Sequence, residues 1–157
     1  MNRGEKRNYG VEAAASAALI GGLLLMALST PARAALLTVG ISNHEFGGAV
    51  CADIKGGSIA TGTAVQAYDC LGDLSEQFEF NGFTIYAMAG QRCLDVGRTG
   101  VVSNACTGAA NQSWYYYDGE ITNANSGECL DATTLANGVQ LVTNPCNGKT
   151  SQNWQIK

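Results

Sequence analysis

Cys129-Leu130-Asp131, then Cys146, then Trp154 eight residues further on, closes the chain with the third copy of one pattern. Moving outward, Cys93-Leu94-Asp95, Cys106 and Trp114 form the second copy, and Cys51-Ala52-Asp53, Cys70 and Phe78 the first. Each copy reads Cys-x-Asp, a Gly-rich stretch, a second Cys, and an aromatic eight residues later. First cysteines are spaced by 42 and 36 residues, and closing aromatics by 36 and 40. A period near 40 marks a repeat architecture, and each repeat has to be read as one supersecondary unit.

Two further signals give these units strands. Phe78-Glu79-Phe80-Asn81-Gly82-Phe83-Thr84-Ile85-Tyr86 sets aromatic and β-branched runs around Asn-Gly, and Trp114 to Thr122 repeats the device around Asp118-Gly119. Both predict hairpins with type I′ turns, whose central residues take positive φ. The third repeat ends at Trp154-Gln155-Ile156-Lys157 without a partner strand. Leu36-Leu37-Thr38-Val39-Gly40-Ile41 stands before the first Cys where Phe83 to Tyr86 stands before the second, so the last strand is expected to pair with the first and close the sheet. From Ala35 onward no segment carries apolar residues at helical spacing for three turns, while Gly, Asn, Thr and Ser punctuate short runs. The fold class is all-β: three repeats of roughly 40 residues, with about four strands each, closing a barrel capped by three hairpins, a β-trefoil.

The first 34 residues read differently. Arg3, Lys6 and Arg7 precede an uncharged run from Ala13 to Ala32 that ends at Ala32-Arg33-Ala34. A basic flank, an apolar centre and a small-x-small exit predict a secretory signal peptide cleaved after Ala34, with an uncleaved anchor as the rival reading. Either places the remainder, residues 35–157, outside the cytoplasm, with repeats at about 36–80, 81–116 and 117–157. That remainder carries 5 of the 9 Lys+Arg and 11 of the 13 Asp+Glu, so its net charge is 5 − 11 = −6. An acidic surface without a basic cluster argues against nucleic acid as a partner. No membrane contact is expected after cleavage.

Six cysteines in an exported chain predict three disulfides, although six allow fifteen pairings. If each segment is its own structural unit, the bridges are Cys51–Cys70, Cys93–Cys106 and Cys129–Cys146. Neither a metal site nor a cofactor is expected, because the chain has no Cys-x-x-Cys and His44 is its one histidine.

Gly90-Gln91-Arg92-Cys93-Leu94-Asp95-Val96, Gly127-Glu128-Cys129-Leu130-Asp131-Ala132, Gly62 to Cys70, Asn111-Gln112-Ser113-Trp114 and Ser151-Gln152-Asn153-Trp154 resemble the ricin B-type lectins, β-trefoils with a Gln-x-Trp signature in each repeat. The first repeat departs from it, with Glu76-Gln77-Phe78. The resemblance implies a carbohydrate-binding domain rather than an enzyme, with glycans of galactose or xylan type held in shallow pockets, up to one per repeat. The chemistry suits those residues: a carboxylate accepts from two neighbouring hydroxyls, an aromatic ring covers the C–H face of a pyranose, and amides donate and accept.

Carried over position by position, the resemblance makes Asp53 the sugar-gripping acid of the first repeat and Tyr68 its stacking ring. Gln66 takes the polar position, and Ser75 and Glu76 stand where Asn and Gln are usual. The second repeat has Asp95, Asn104, Asn111 and Gln112, with Val102 at the polar position. The third has Asp131, Asn144, Ser151 and Gln152, with Val142 there. Both lack a stacking aromatic, so the first repeat is the favoured site. Plainer roles are open for the rest: Phe78, Trp114 and Trp154 as core, Gln112 and Gln152 as backbone partners in their turns, and the aspartates as turn formers. Asn111-Gln112-Ser113 is also a formal N-glycosylation sequon, whose occupancy would obstruct the second pocket. The competing functions are a trefoil scaffold that has lost sugar binding and serves as an interaction protein or inhibitor, and, less favoured, a glycoside hydrolase using Asp53 with Glu76.

Overall fold

A computed structural model describes residues 35–39 and 50–156, the first five by their backbone. The segment read as a signal peptide lies outside the described residues, as do Gly40 and Ile41 of the expected first strand. The first repeat supplies strands β1 (Ala35–Val39), β2 (Val50–Ile54), β3 (Thr63–Asp69) and β4 (Gln77–Asn81). The second supplies β5 (Thr84–Ala87), β6 (Arg92–Val96), β7 (Val101–Asn104) and β8 (Trp114–Tyr117). The third supplies β9 (Glu120–Asn123), β10 (Cys129–Asp131), β11 (Val139–Gln140), β12 (Val142–Asn144) and β13 (Trp154–Ile156). Alternation makes them strands: in β5, β7 and β9 every second side chain is buried, the period-2 pattern of a sheet with one face on a core.

Six of these strands close a ring. β1 pairs with β4, β4 with β5, and β8 with β9. Single contacts join the rest: the Trp114 amide donates to the Phe83 carbonyl and the Trp154 amide to the Gly119 carbonyl, both at 2.6 Å. The last strand does pair with the first, with Leu37 opposite Ile156 and Val39 opposite Trp154. The hairpins β2–β3, β6–β7 and β10–β12 cap the ring. Phe78, Trp114 and Trp154 lie fully in the core, with Ile85, Ile121, Leu94 and Leu130. The indole N–H of Trp114 donates to the Leu94 carbonyl and that of Trp154 to the Leu130 carbonyl, so each buried ring has its polar atom satisfied.

The three caps meet where Val65, Val101 and Leu141 occupy equivalent places five residues before each second cysteine. The Leu141 amide donates to Val65 at 2.8 Å, and the Val101 amide to Leu141 at 2.7 Å. Backbones come so close here that a Cβ on Gly100, at φ +146°, would lie 2.8 Å from the Leu141 carbonyl oxygen. The disulfides are Cys51–Cys70, Cys93–Cys106 and Cys129–Cys146, with Cα separations of 5.0–5.1 Å, each within its own repeat.

One hairpin expectation is corrected. Tyr117 pairs with Glu120, and Asp118 (φ +47°) and Gly119 (φ +87°) form the expected type I′ pair. In the first hairpin Asn81 pairs with Thr84, so the turn is centred on Gly82-Phe83, one residue later than Asn81-Gly82 predicts. Only Gly82 takes positive φ there, the pattern of a type II′ turn. The cause is tertiary: Phe83 occupies the place of Gly119, and both carbonyls take the amide of the tryptophan that begins the neighbouring ring strand.

Candidate functional site

Each Cys-x-Asp sits on the first strand of a cap hairpin, and the cross-strand register decides what faces its carboxylate. In the first repeat Asp53 pairs with Gln66, and the Gln66 amide Nε2 donates to Asp53 Oδ2 at 2.8 Å. In the second Asp95 pairs with Val102, which offers nothing polar, and in the third Asp131 pairs with Val142. The partner then comes from two residues further on: Asn104 Nδ2 donates to Asp95 Oδ2 at 2.9 Å, and Asn144 Nδ2 to Asp131 Oδ2 at 3.0 Å.

A 3-10 turn precedes each closing aromatic: Leu74–Glu76, Ala110–Gln112 and Thr150–Gln152. It delivers the signature side chain inward. Gln112 Oε1 accepts the Thr107 amide and Gln152 Oε1 the Asn147 amide, at 2.8 and 2.9 Å. Their Nε2 atoms donate to Asp95 and Asp131 at 2.9 and 3.0 Å. Glu76 repeats the acceptor half, taking the Leu71 amide at 2.9 Å and the Gly72 amide at 2.6 Å. Ionised, it has no proton to offer Asp53. Glu76, Gln112 and Gln152 are exposed by 2% or less. Their hydrogen bonds hold loop amides and, in two repeats, the aspartate, and Glu76 also lines the crevice around Asp53.

The three carboxylates end in different states. Asp95 accepts from Asn104, Gln112 and Asn111, whose Nδ2 reaches Oδ1; the sequon nitrogen is thus committed to a buried acid. Asp131 accepts from Asn144, Gln152 and the Thr133 amide at 2.7 Å, with Ser151 beside it. Among the described residues Asp53 accepts from Gln66 alone. A carboxylate has about four acceptor positions, and among the described residues Gln66 fills one of those on Asp53.

Surroundings reinforce the difference. Asp53, Gln66, Tyr68 and Ser75 line one crevice of about 630 Å³. Tyr68 is 37% exposed and lines the same crevice as the acid. Leu71, Leu74, Ile59 and Asp73 also line it, residues that the repeat motifs do not include. A crevice of about 440 Å³ adjoins Asp131, lined by Thr133, Asn144, Lys149 and Ser151, with no aromatic.

Burial would raise the pKa of Asp131, but hydrogen bonds from Asn144, the Thr133 amide, Ser151 and Gln152 outweigh it and hold the value below the ordinary 3.8. A folded-state value below the unfolded one gives stability that is present above about 3.8 and lost as pH falls further. Asp131→Asn is expected to cost about 1–3 kcal/mol at pH 7 and to flatten the decline in thermal midpoint at lower pH. Unfolding curves at pH 7 and below pH 3.8 would measure both effects.

Residues 38–154 match the model of the ricin-type beta-trefoil lectin domain. The chain belongs to that family. The lectin domain is 30% identical, over 121 residues, to mouse (Mus musculus) polypeptide N-acetylgalactosaminyltransferase 15, covering 72% of this chain. It spans only 19% of that relative's length. Among solved structures it is similar to the C-half of an earthworm R-type lectin in complex with GalNAc, with a TM-score of 0.66, 12% identity, and coverage of 80% of this chain and 98% of the other. It is also similar to the β-trefoil lectin of the Vibrio vulnificus hemolysin/cytolysin with N-acetyl-D-lactosamine bound, with a TM-score of 0.63, 18% identity, and coverage of 78% and 93%. Those two likenesses concern the fold. Carbohydrate binding is the function the family supports.

Proposed function

We propose that the first repeat is the working carbohydrate site of this lectin domain, and that it binds a neutral glycan of galactose or xylan type without cleaving it. One observation carries the reading: among the described residues Asp53 has a single internal donor, whereas Asp95 and Asp131 each have at least three. With Gln66 fixing the carboxylate, two adjacent hydroxyls of a pyranose can donate to it while the C–H face rests on Tyr68. A hydrolase built on Asp53 and Glu76 would need the Glu76 carboxyl turned to the substrate, and it instead holds the Leu71 and Gly72 amides.

The sugars in the earthworm and Vibrio structures make galacto-configured probes the first to try. A glycan array should return galactosyl or xylan-type hits; an empty array with folded protein would favour the scaffold that has lost sugar binding. Export belongs to the same proposal, supported by the basic-apolar-small order of residues 1–34 and by three disulfides, which persist in oxidising compartments. Sequencing the exported protein should read Ala35 first; a sequence beginning at Met1 would indicate a retained anchor.

A further inference from the structure

The first-repeat crevice has a wall unlike a surface built only for hydroxyls. Ile59 and Leu71 are each 64% exposed and Leu74 57%, and all three line the cavity that holds Asp53 and Tyr68. Single exposed aliphatics are ordinary, but three around one concavity form a patch. The repeats supply an internal control. Counting from the second cysteine, the place of Leu71 is taken by Thr107 and Asn147, and that of Leu74 by Ala110 and Thr150. Leu71 and Leu74 therefore belong to the repeat whose acid has one donor among the described residues, and the shared fold does not require them.

The wall is also held in place. Arg92, from the second repeat, donates through Nε to the Ile59 carbonyl at 2.6 Å and through Nη1 to Thr61 Oγ1 at 2.7 Å. Gly90, at φ +73°, lies so close that a Cβ there would be 3.0 Å from the Ile59 Cβ. On the other side the Glu76 carboxylate anchors the Leu71 and Gly72 amides. Apolar side chains fixed on pinned backbone lose little entropy when a ligand covers them. Asp53 and Asp73, both lining the crevice, disfavour an anionic ligand.

We infer that this site, read as the carbohydrate pocket proposed above, takes a neutral sugar carrying an adjoining apolar group: the ring on Asp53 and Tyr68, the alkyl or aryl aglycone against Ile59, Leu71 and Leu74. A volume of about 630 Å³ lies in the range of sites that bury a ligand larger than one ring.

Calorimetric titration of the full protein with methyl, phenyl and octyl β-galactosides and β-xylosides, below micelle-forming concentrations, tests this. For the sugar that binds, the phenyl or octyl glycoside should bind at least about tenfold tighter than the methyl one, since burying two methylenes is worth that much. An octyl advantage over phenyl identifies a lipid-like chain as the source, and the reverse a planar aglycone. In the double variant Leu71→Thr, Leu74→Ala, which installs the second repeat's own residues, the ratio should collapse toward one, with thermal unfolding confirming the fold. Equal affinity for all three glycosides in the native protein overturns the inference and leaves sugar binding standing, and a tenfold ratio that survives in the double variant does the same. Absence of binding by every glycoside removes the carbohydrate reading of this pocket, and the inference with it.

Discussion

Asp53→Ala is expected to abolish retention of the protein on galactosyl or xylan matrices while leaving it folded. A hydrogen bond to a charged group contributes roughly 1.5–3 kcal/mol, so losing two hydroxyl contacts weakens binding by at least about a hundredfold. For a shallow site that loss erases retention altogether. The fold should survive because Gln66 is the one side chain that loses its partner among the described residues, and it sits at the crevice rather than in the apolar core. Asp95→Ala makes the contrast. It removes the acceptor of Asn104, Asn111 and Gln112 together, so it should cost stability while leaving retention intact. Affinity chromatography paired with thermal unfolding separates the two variants: one loses binding without stability, the other the reverse.

Trp154→Ala should be the most damaging single substitution to the fold. The ring is fully buried, its N–H is spent on the Leu130 carbonyl, and its backbone joins β13 to both β1 and Gly119. Truncating a buried tryptophan costs about 3–5 kcal/mol, which in a domain of this size lowers the thermal midpoint by roughly 10–25 °C. Trp154→Phe is a sharper probe. Phe78 shows that the equivalent place in the first repeat accepts a phenyl ring, so the expected cost is about 1–2 kcal/mol, mostly from leaving the Leu130 carbonyl without its donor.

The spacing of cysteines and closing aromatics carried most of the fold in the sequence. Identical positions in three segments require identical environments, so Phe78, Trp114 and Trp154 had to be core and the disulfides local to their repeats. The closing pair of β1 with β13 was legible because a strand missing from one end of the third repeat was present before the first. The Gly82-Phe83 turn was not, because Asn-Gly is a local signal and the register is set by a bond between distant residues, the Trp114 amide to the Phe83 carbonyl. At the site, the residue types were readable but their occupancy was not. How many amides an aspartate meets depends on cross-strand register, which places Gln66 opposite Asp53 but Val102 and Val142 opposite Asp95 and Asp131. Glu76 stands in the place of the signature glutamine and repeats the acceptor half of its hydrogen bonding, holding the Leu71 and Gly72 amides. The aliphatic wall of the first crevice did leave a trace, in Leu71 and Leu74 against Thr107, Ala110, Asn147 and Thr150, that comparing the repeats residue by residue exposes.

The claim on which function rests is that the carboxylate with spare acceptors is the one that binds. Backbone amide shifts of isotope-labelled protein, followed by NMR as the best galactoside or xyloside is titrated in, address it directly even when binding is weak. The account predicts that Asp53, Gln66, Tyr68 and Ser75 move together with a single dissociation constant, while Asn104, Asn111, Thr133 and Asn144 stay in place. Shifts centred on Asp95 or Asp131, with the first repeat unmoved, would contradict it.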